Sequence, residues 1–199
     1  MNAKPSILLR RKSAAVPWLA GLLGLLCLLF SRHCSWGQAV ATAPEYRIKA
    51  VYLFNFAQFA KWPATAFATS NAPIIIGVSG EAPLGEALEE AIAGETVNGR
   101  TLTVKQFAAG ETIGSCHILF ICLSEKNRVA GILKNLQGAP VLTVSETDGF
   151  CEHGGMINFY RQDQKIKFEV NPQSVDQANL IISSKLLNLA RIKTTAPPE

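Results

Sequence analysis

The chain has 199 residues, 48% hydrophobic and 17% charged, which fits one well-cored domain plus a targeting segment. Its net charge of +4 belongs to the N-terminus: Lys4, Arg10, Arg11, Lys12 and Arg32 precede Ala41, no acidic residue does, and the other 14 basic residues face 15 acidic ones. The remainder carries no basic excess of the kind nucleic-acid binding requires, so no nucleic-acid partner is expected.

Residues 1–41 read as a secretory signal peptide. Arg10-Arg11-Lys12 precede an uncharged apolar run from Ala14 to Phe30, and Ala39-Val40-Ala41 supplies the small residues of a cleavage site. The competing reading is an uncleaved anchor, since 17 apolar residues sit at the low edge of what spans a bilayer. Pro17 and the downstream Ala-x-Ala favour cleavage and a periplasmic mature chain of residues 42–199. Export brings an oxidising compartment, where Cys116, Cys122 and Cys151 remain after Cys27 and Cys34 leave with the leader.

From Glu45 to Trp62 the pattern predicts a helix that is apolar on most sides and stopped by Pro63. At 3.6 residues per turn Phe54 shares an arc with Arg47, Gln58 and Lys61, which marks it as a candidate for a subunit interface. Burial against the core is the other reading. A β-branched run, Ile74-Ile75-Ile76-Gly77-Val78, predicts a buried strand. Ser79-Gly80 then turns the chain into a helix, opened by Pro83 and running to about Ala93. A strand over Thr101–Gln106 follows the Gly94–Gly99 loop. The next strand is His117–Leu123, then come a helix from about Glu125 to Leu136 and a strand at Pro140–Val144, a strand–helix–strand unit that implies parallel pairing.

The last third alternates. Met156–Tyr160 and Lys165–Val170 predict an antiparallel hairpin, with Glu169 pointing away from Ile166, Phe168 and Val170. Asn171 as N-cap and Pro172 at the first helical position open a helix. Val175, Ala178, Ile182, Leu186 and Leu189 would form the stripe of one long final helix. The expected architecture is α/β: a layered sandwich with a largely parallel central sheet, flanking helices, a C-terminal antiparallel hairpin and a long helix in a single domain.

Catalytic signatures are missing. Gly77-Val78-Ser79-Gly80 lacks the spacing of a nucleophile elbow, and there is neither a Gly-x-Gly-x-x-Gly nor a P-loop lysine. Cys116 and His117 are adjacent on a strand and so point to opposite faces, which disfavours a metal site shared with Cys151 and His153. No catalytic residue, metal or cofactor is assigned. The turn Ser79-Gly80-Glu81 could present backbone amides to an anion, but Glu81, Glu86, Glu89 and Glu90 would repel phosphate.

Several stretches together resemble the YfiR family. These are Tyr46–Phe56 with Phe59 and Trp62-Pro63, then Cys116-His117-Ile118-Leu119-Phe120, Val141–Ser145, Gly154-Gly155-Met156-Ile157, Phe168-Glu169-Val170-Asn171 and Ser183–Leu187. The resemblance implies a periplasmic, often dimeric repressor that engages the periplasmic sensor region of an inner-membrane diguanylate cyclase. It also implies an outer-membrane lipoprotein able to sequester the repressor, and relatives that act with sensor kinases. A first-strand cysteine facing the equivalent of Cys116 is common in that family, and here the strand reads Ile76-Gly77-Val78.

These readings make the chain a non-enzymatic signalling regulator acting through protein contact. Ile157, Glu169 and Val175 are expected on its partner-facing surface together with Phe54, with core packing as the alternative for Ile157 and Val175. If an intramolecular disulfide forms, Cys122–Cys151 is expected, because Cys122 lies at the carboxyl end of its strand and Cys151 follows the carboxyl end of the parallel neighbour Pro140–Val144. Three free thiols are the alternative. A rival function is a periplasmic small-ligand-binding module with its pocket near Ser79-Gly80 and Leu123-Ser124.

Overall fold

The computed structural model describes residues 43–196. The helix α1 (Ala43–Phe59) ends where the chain becomes extended as β1 (Ala60–Lys61), just before Pro63. Strand β2 (Ile74–Ser79) leads into α2 (Leu84–Ile92), then β3 (Thr96–Val97) and β4 (Arg100–Phe107). Asn98 and Gly99 both take positive φ between β3 and β4, the geometry of a two-residue hairpin turn.

Strand β5 (Ile118–Ile121) is followed by a 3-10 segment (Leu123–Arg128), α3 (Val129–Asn135) and β6 (Leu142–Ser145). Strands β7 (Ile157–Gln162) and β8 (Lys165–Val170) pair antiparallel across Asp163 and Gln164, again both at positive φ. The chain then forms α4 (Pro172–Gln177), β9 (Ile181–Ile182), α5 (Ser184–Leu187) and β10 (Arg191–Ile192).

Eight strands form one sheet in the order β10-β8-β7-β6-β5-β2-β4-β3. The pairs β2–β4, β2–β5, β5–β6, β6–β7 and β8–β10 are parallel, so the protein is a mixed α/β fold on a mostly parallel sheet. Alternation along β5 divides the core. Ile118 and Phe120 join a large cluster with Leu53 and Phe56 of α1 and Leu84 and Leu88 of α2. Leu119 and Ile121 point the other way, into a smaller cluster with Val129, Ile132 and Phe150.

The final segment departs from the single long helix expected. Helix α4 stops after Gln177, Asn179 turns left-handed (φ 55°), and Ile181–Ile182 become extended and pair with β1. Ser183 then caps the separate α5 through Lys185 N. The physical reason is local. Asn tolerates the left-handed conformation that ends helices, and two adjacent β-branched residues suit a strand rung.

A two-residue antiparallel ladder thus ties the end of α1 to the C-terminal segment: Ala60 opposes Ile182, Lys61 opposes Ile181, and Ser183 N donates to Phe59 O.

Candidate partner-binding site

Helix α1 carries a buried charged cluster on its inner side and an exposed apolar strip on its outer side. Lys49 is 1% exposed, and its ammonium lies 2.7 Å from Glu45, one turn earlier, and 2.5 Å from Glu146, which follows β6. Arg161 at the far end of β7 pairs with the same Glu45. Four charges of opposite sign therefore close on one another, which is what a lysine removed from water requires. The cluster pins the first turns of α1 to the β6 and β7 ends of the sheet. Tyr46 lies beneath Lys49, 5.0 Å from ammonium to ring centroid, and burial together with the Glu146 charge pushes its hydroxyl up to about 12.

On the side of α1 away from the core, Ile48 and Val51 are 49% and 52% exposed. With Arg47, Tyr52 and Asn55 they line a shallow groove of about 480 Å³. Two β-branched side chains half in water on adjacent turns form a surface that association would cover. Phe54 does not belong to this strip: half-buried, it packs against the large core cluster, although its neighbours on the polar arc, Arg47, Gln58 and Lys61, are exposed.

The other candidates lie deeper than the alternation of β8 suggests. Ile157 and Val175 are core residues. Glu169 does point away from Phe168, but it is only 5% exposed, which corrects the expectation that its carboxylate faces outward. The reason is long-range. Strand β10 pairs alongside β8, Lys193 N donates to Val170 O, and the Lys193 ammonium stands 3.9 Å from Glu169. On its other side Asn158 donates to Glu169 at 3.4 Å. Val175 nonetheless lines a small cleft of about 100 Å³ with Val170, Pro172, Ile181 and Leu187, and Ile181 at its edge is 64% exposed.

Cys116, Cys122 and Cys151 are all free and buried, so the Cys122–Cys151 bridge is not formed. Cys122 packs with the large cluster, whereas Cys151 follows Phe150, which belongs to the small cluster on the opposite side of the sheet. Sequence proximity of strand ends does not reveal on which face the intervening loop runs. The loop takes this course because Gly155 lacks a Cβ, which would stand 2.2 Å from the Phe150 ring. Cys151 Sγ lies 3.7 Å from Met156 O and 3.8 Å from Glu169 O. Burial pushes the Cys116 and Cys122 thiols up to about 12 and raises Cys151 as well.

His117 is structural. Its Nδ1 accepts from Ile75 N at 3.0 Å and its Nε2 lies 3.2 Å from Ala66 O, so both ring nitrogens are engaged. The ring stacks on Phe67 with centroids 4.5 Å apart. Burial holds its pKa below the usual histidine value, with the nearby Arg100 acting in the same direction. The strand-to-helix turn considered for anions is likewise occupied from within: Gly80 N donates to Phe107 O and Glu81 N to Ser124 Oγ. A Cβ at Gly80 would stand 2.5 Å from that Ser124 hydroxyl, so the turn is closed by its own chain.

Residues 46–191 match the model of the YfiR/HmsC-like family, from the first turn of α1 to the start of β10. The chain belongs to the YfiR/HmsC-like family. That family is periplasmic and regulatory rather than catalytic, and it serves diguanylate cyclase signalling. The family assignment suits a molecule whose His117 and buried thiols are spent on structure. Among the described residues no helix is long and apolar enough to cross a membrane. The expected signal peptide at 1–41 lies outside the described residues.

Proposed function

We propose that this YfiR/HmsC-like protein is a non-enzymatic periplasmic regulator that restrains an inner-membrane diguanylate cyclase, or a related sensor kinase, by binding its periplasmic sensor region. The family match over residues 46–191 carries this reading. Cleavage after Ala41 would start the mature chain at Thr42, immediately ahead of α1. The contact surface would then be the outer strip of α1, Ile48 and Val51 with Arg47, Tyr52 and Asn55, which leaves apolar area uncovered. Phe54 would support that strip from beneath. Val175 would take part through the cleft edged by Ile181, and Ile157 and Glu169 by holding that end of the sheet in place. An outer-membrane lipoprotein would compete for the same regulator, and self-association through either surface would make a homodimer.

The test is capture from solubilised membranes with the exported protein, read together with cellular cyclic di-GMP after deletion of the gene. Recovery of a cyclase or kinase with a periplasmic sensor region, and raised cyclic di-GMP in the deletion strain, is the expected result. A deletion strain with unchanged cyclic di-GMP and no captured sensor protein would refute the proposal.

A further inference from the structure

We infer that the β8–β10 edge of the sheet is a contact for an anionic phospholipid surface, separate from the α1 strip. Its apolar part comes from the last turn and strand. Leu189, in the turn that enters β10, is 75% exposed, and Ile192 within β10 is 51% exposed. Strand β10 ends the sheet, so no further strand shields these aliphatic side chains from water.

Cations stand beside them. Along β8, Ile166, Phe168 and Val170 turn to the large cluster, so Lys165 and Lys167 take the opposite face. Arg191 opposes Glu169 in the parallel register of β10 and shares that face, where its guanidinium lies 4.2 Å from the centre of the Tyr160 ring. None of the buried residues of the small cluster comes from β7, β8 or β10, so this part of the face carries no apolar lid. Lys165, Lys167 and Arg191 are exposed and make no ion pair among the described residues. The carboxylates close by are engaged or set apart: Glu152 and the buried Glu169 both face Lys193, Asp163 sits out at the hairpin turn, and Asp176 lines the Val175 cleft.

Charge is spread unevenly along the sheet. Between Lys61 and Arg100 the chain carries Glu81, Glu86, Glu89, Glu90 and Glu95 and neither lysine nor arginine. That stretch holds β2, α2 and β3, and β3 is the strand at the opposite end of the sheet from β10. An anionic surface therefore repels one end of the molecule and attracts the other, which turns the β10 edge toward it. The long side chains of Lys165, Lys167 and Arg191 reach phosphate headgroups from an open face, while Leu189 and Ile192 enter the acyl boundary beneath them. An acidic protein segment would use the cations and leave the two aliphatic tips bare. So small a set of anchors makes the contact weak and reversible.

The experiment is co-sedimentation of the exported protein with vesicles of phosphatidylcholine alone or with about one-third phosphatidylglycerol, at salt from about 0.05 to about 0.5 M. Binding to the anionic vesicles at low salt is expected, about tenfold weaker on the neutral ones and lost as salt rises. Lys165→Gln, Lys167→Gln and Arg191→Gln should each weaken it about fivefold. Lys134→Gln, which removes an exposed lysine on α3, should leave it unchanged. Leu189→Gln should weaken binding while keeping its salt dependence, which separates insertion from charge. Melting temperatures of these surface variants should match that of the parent, so that loss of binding is not loss of fold. No binding to the anionic vesicles, equal binding to the neutral ones, or an equal effect of Lys134→Gln would overturn the inference. Full binding by Leu189→Gln would overturn it too, leaving the cations as a face for an acidic protein segment.

Discussion

The Cβ that Gly77 lacks would stand 3.4 Å from the Cβ of Cys116. Disulfides place those atoms about 3.5–4.5 Å apart, so residue 77 on β2 is the natural bridging position for this thiol. The Phe107 ring fills the space instead, its Cε2 only 2.8 Å from the missing atom. Gly77→Cys is expected to form a bridge to Cys116 on export, found by non-reducing peptide mapping, with a melting temperature that drops on reduction. Gly77→Ala should cost about 1–3 kcal/mol, the usual penalty for overpacking. A variant with free thiols at both 77 and 116 after export would show that the Phe107 ring does not yield.

Lys49 makes a second prediction. Lys49→Met keeps the length of the side chain but leaves Glu45 and Glu146 facing each other without their shared cation. Breaking a buried ion pair from one side costs about 3–5 kcal/mol, and chemical denaturation should register a loss of that order. Arg161→Met should cost less, because half of the Arg161 side chain is already in water.

Protonation of His117 sets a pH dependence. Its folded pKa lies below the reference value of 6.5, so the unfolded chain takes up the proton first as pH falls. The neutral ring's contribution is complete above pH 6.5 and is lost as the pH drops from there toward the folded pKa. Thermal melts between pH 7.5 and 5.5, a range of about two units around a histidine's ordinary pKa, should show falling stability, and His117→Asn should flatten the slope. An identical slope in the variant would assign the effect elsewhere.

Surface and core substitutions should separate cleanly on α1. Val51→Glu is expected to change stability by no more than about 0.5 kcal/mol while weakening capture of the membrane partner or lowering the mass in sedimentation. Phe54→Glu should instead destabilise the fold, since Phe54 packs on the large cluster. Glu169→Lys belongs with the second class, because it sets a cation against Lys193 in a buried setting. Unchanged partner capture and unchanged mass in Val51→Glu would remove the α1 strip from the contact surface.

The central sheet was legible because its strands are marked by local chemistry: a β-branched run at Ile74–Val78, a short apolar run at Ile118–Ile121, and alternation bounded by polar turn residues at Asp163-Gln164. The Asn171-Pro172 helix start was legible too, and Asn171 does accept from Ser174 N. The last helix was misread because Val175, Ala178, Ile182, Leu186 and Leu189 satisfy a helical period without being one helix. Asn179 and Ser183 were the available signals, a left-handed stop and a fresh cap. Glu45 and Lys49 stand at the spacing of a helical ion pair, a signal the sequence holds but that was passed over, and nothing local announced Glu146 or Arg161. Glu169 shows the same limit: alternation tells which face a side chain takes, not what later segment covers that face.

The ladder between β1 and β9 has a kinetic consequence. It joins residues more than a hundred positions apart through two rungs, so its closure waits on everything between them. Contacts of that sequence separation slow folding, because the entropy of closing the loop is spent before the contacts return it. Helix α1 comes early in the chain yet is fastened at its far end only after β9 has formed. Until then the last turn of α1, with Phe59 O and the edge of β1 unpaired, is the part of the helix most open to fraying, to proteases and to aggregation.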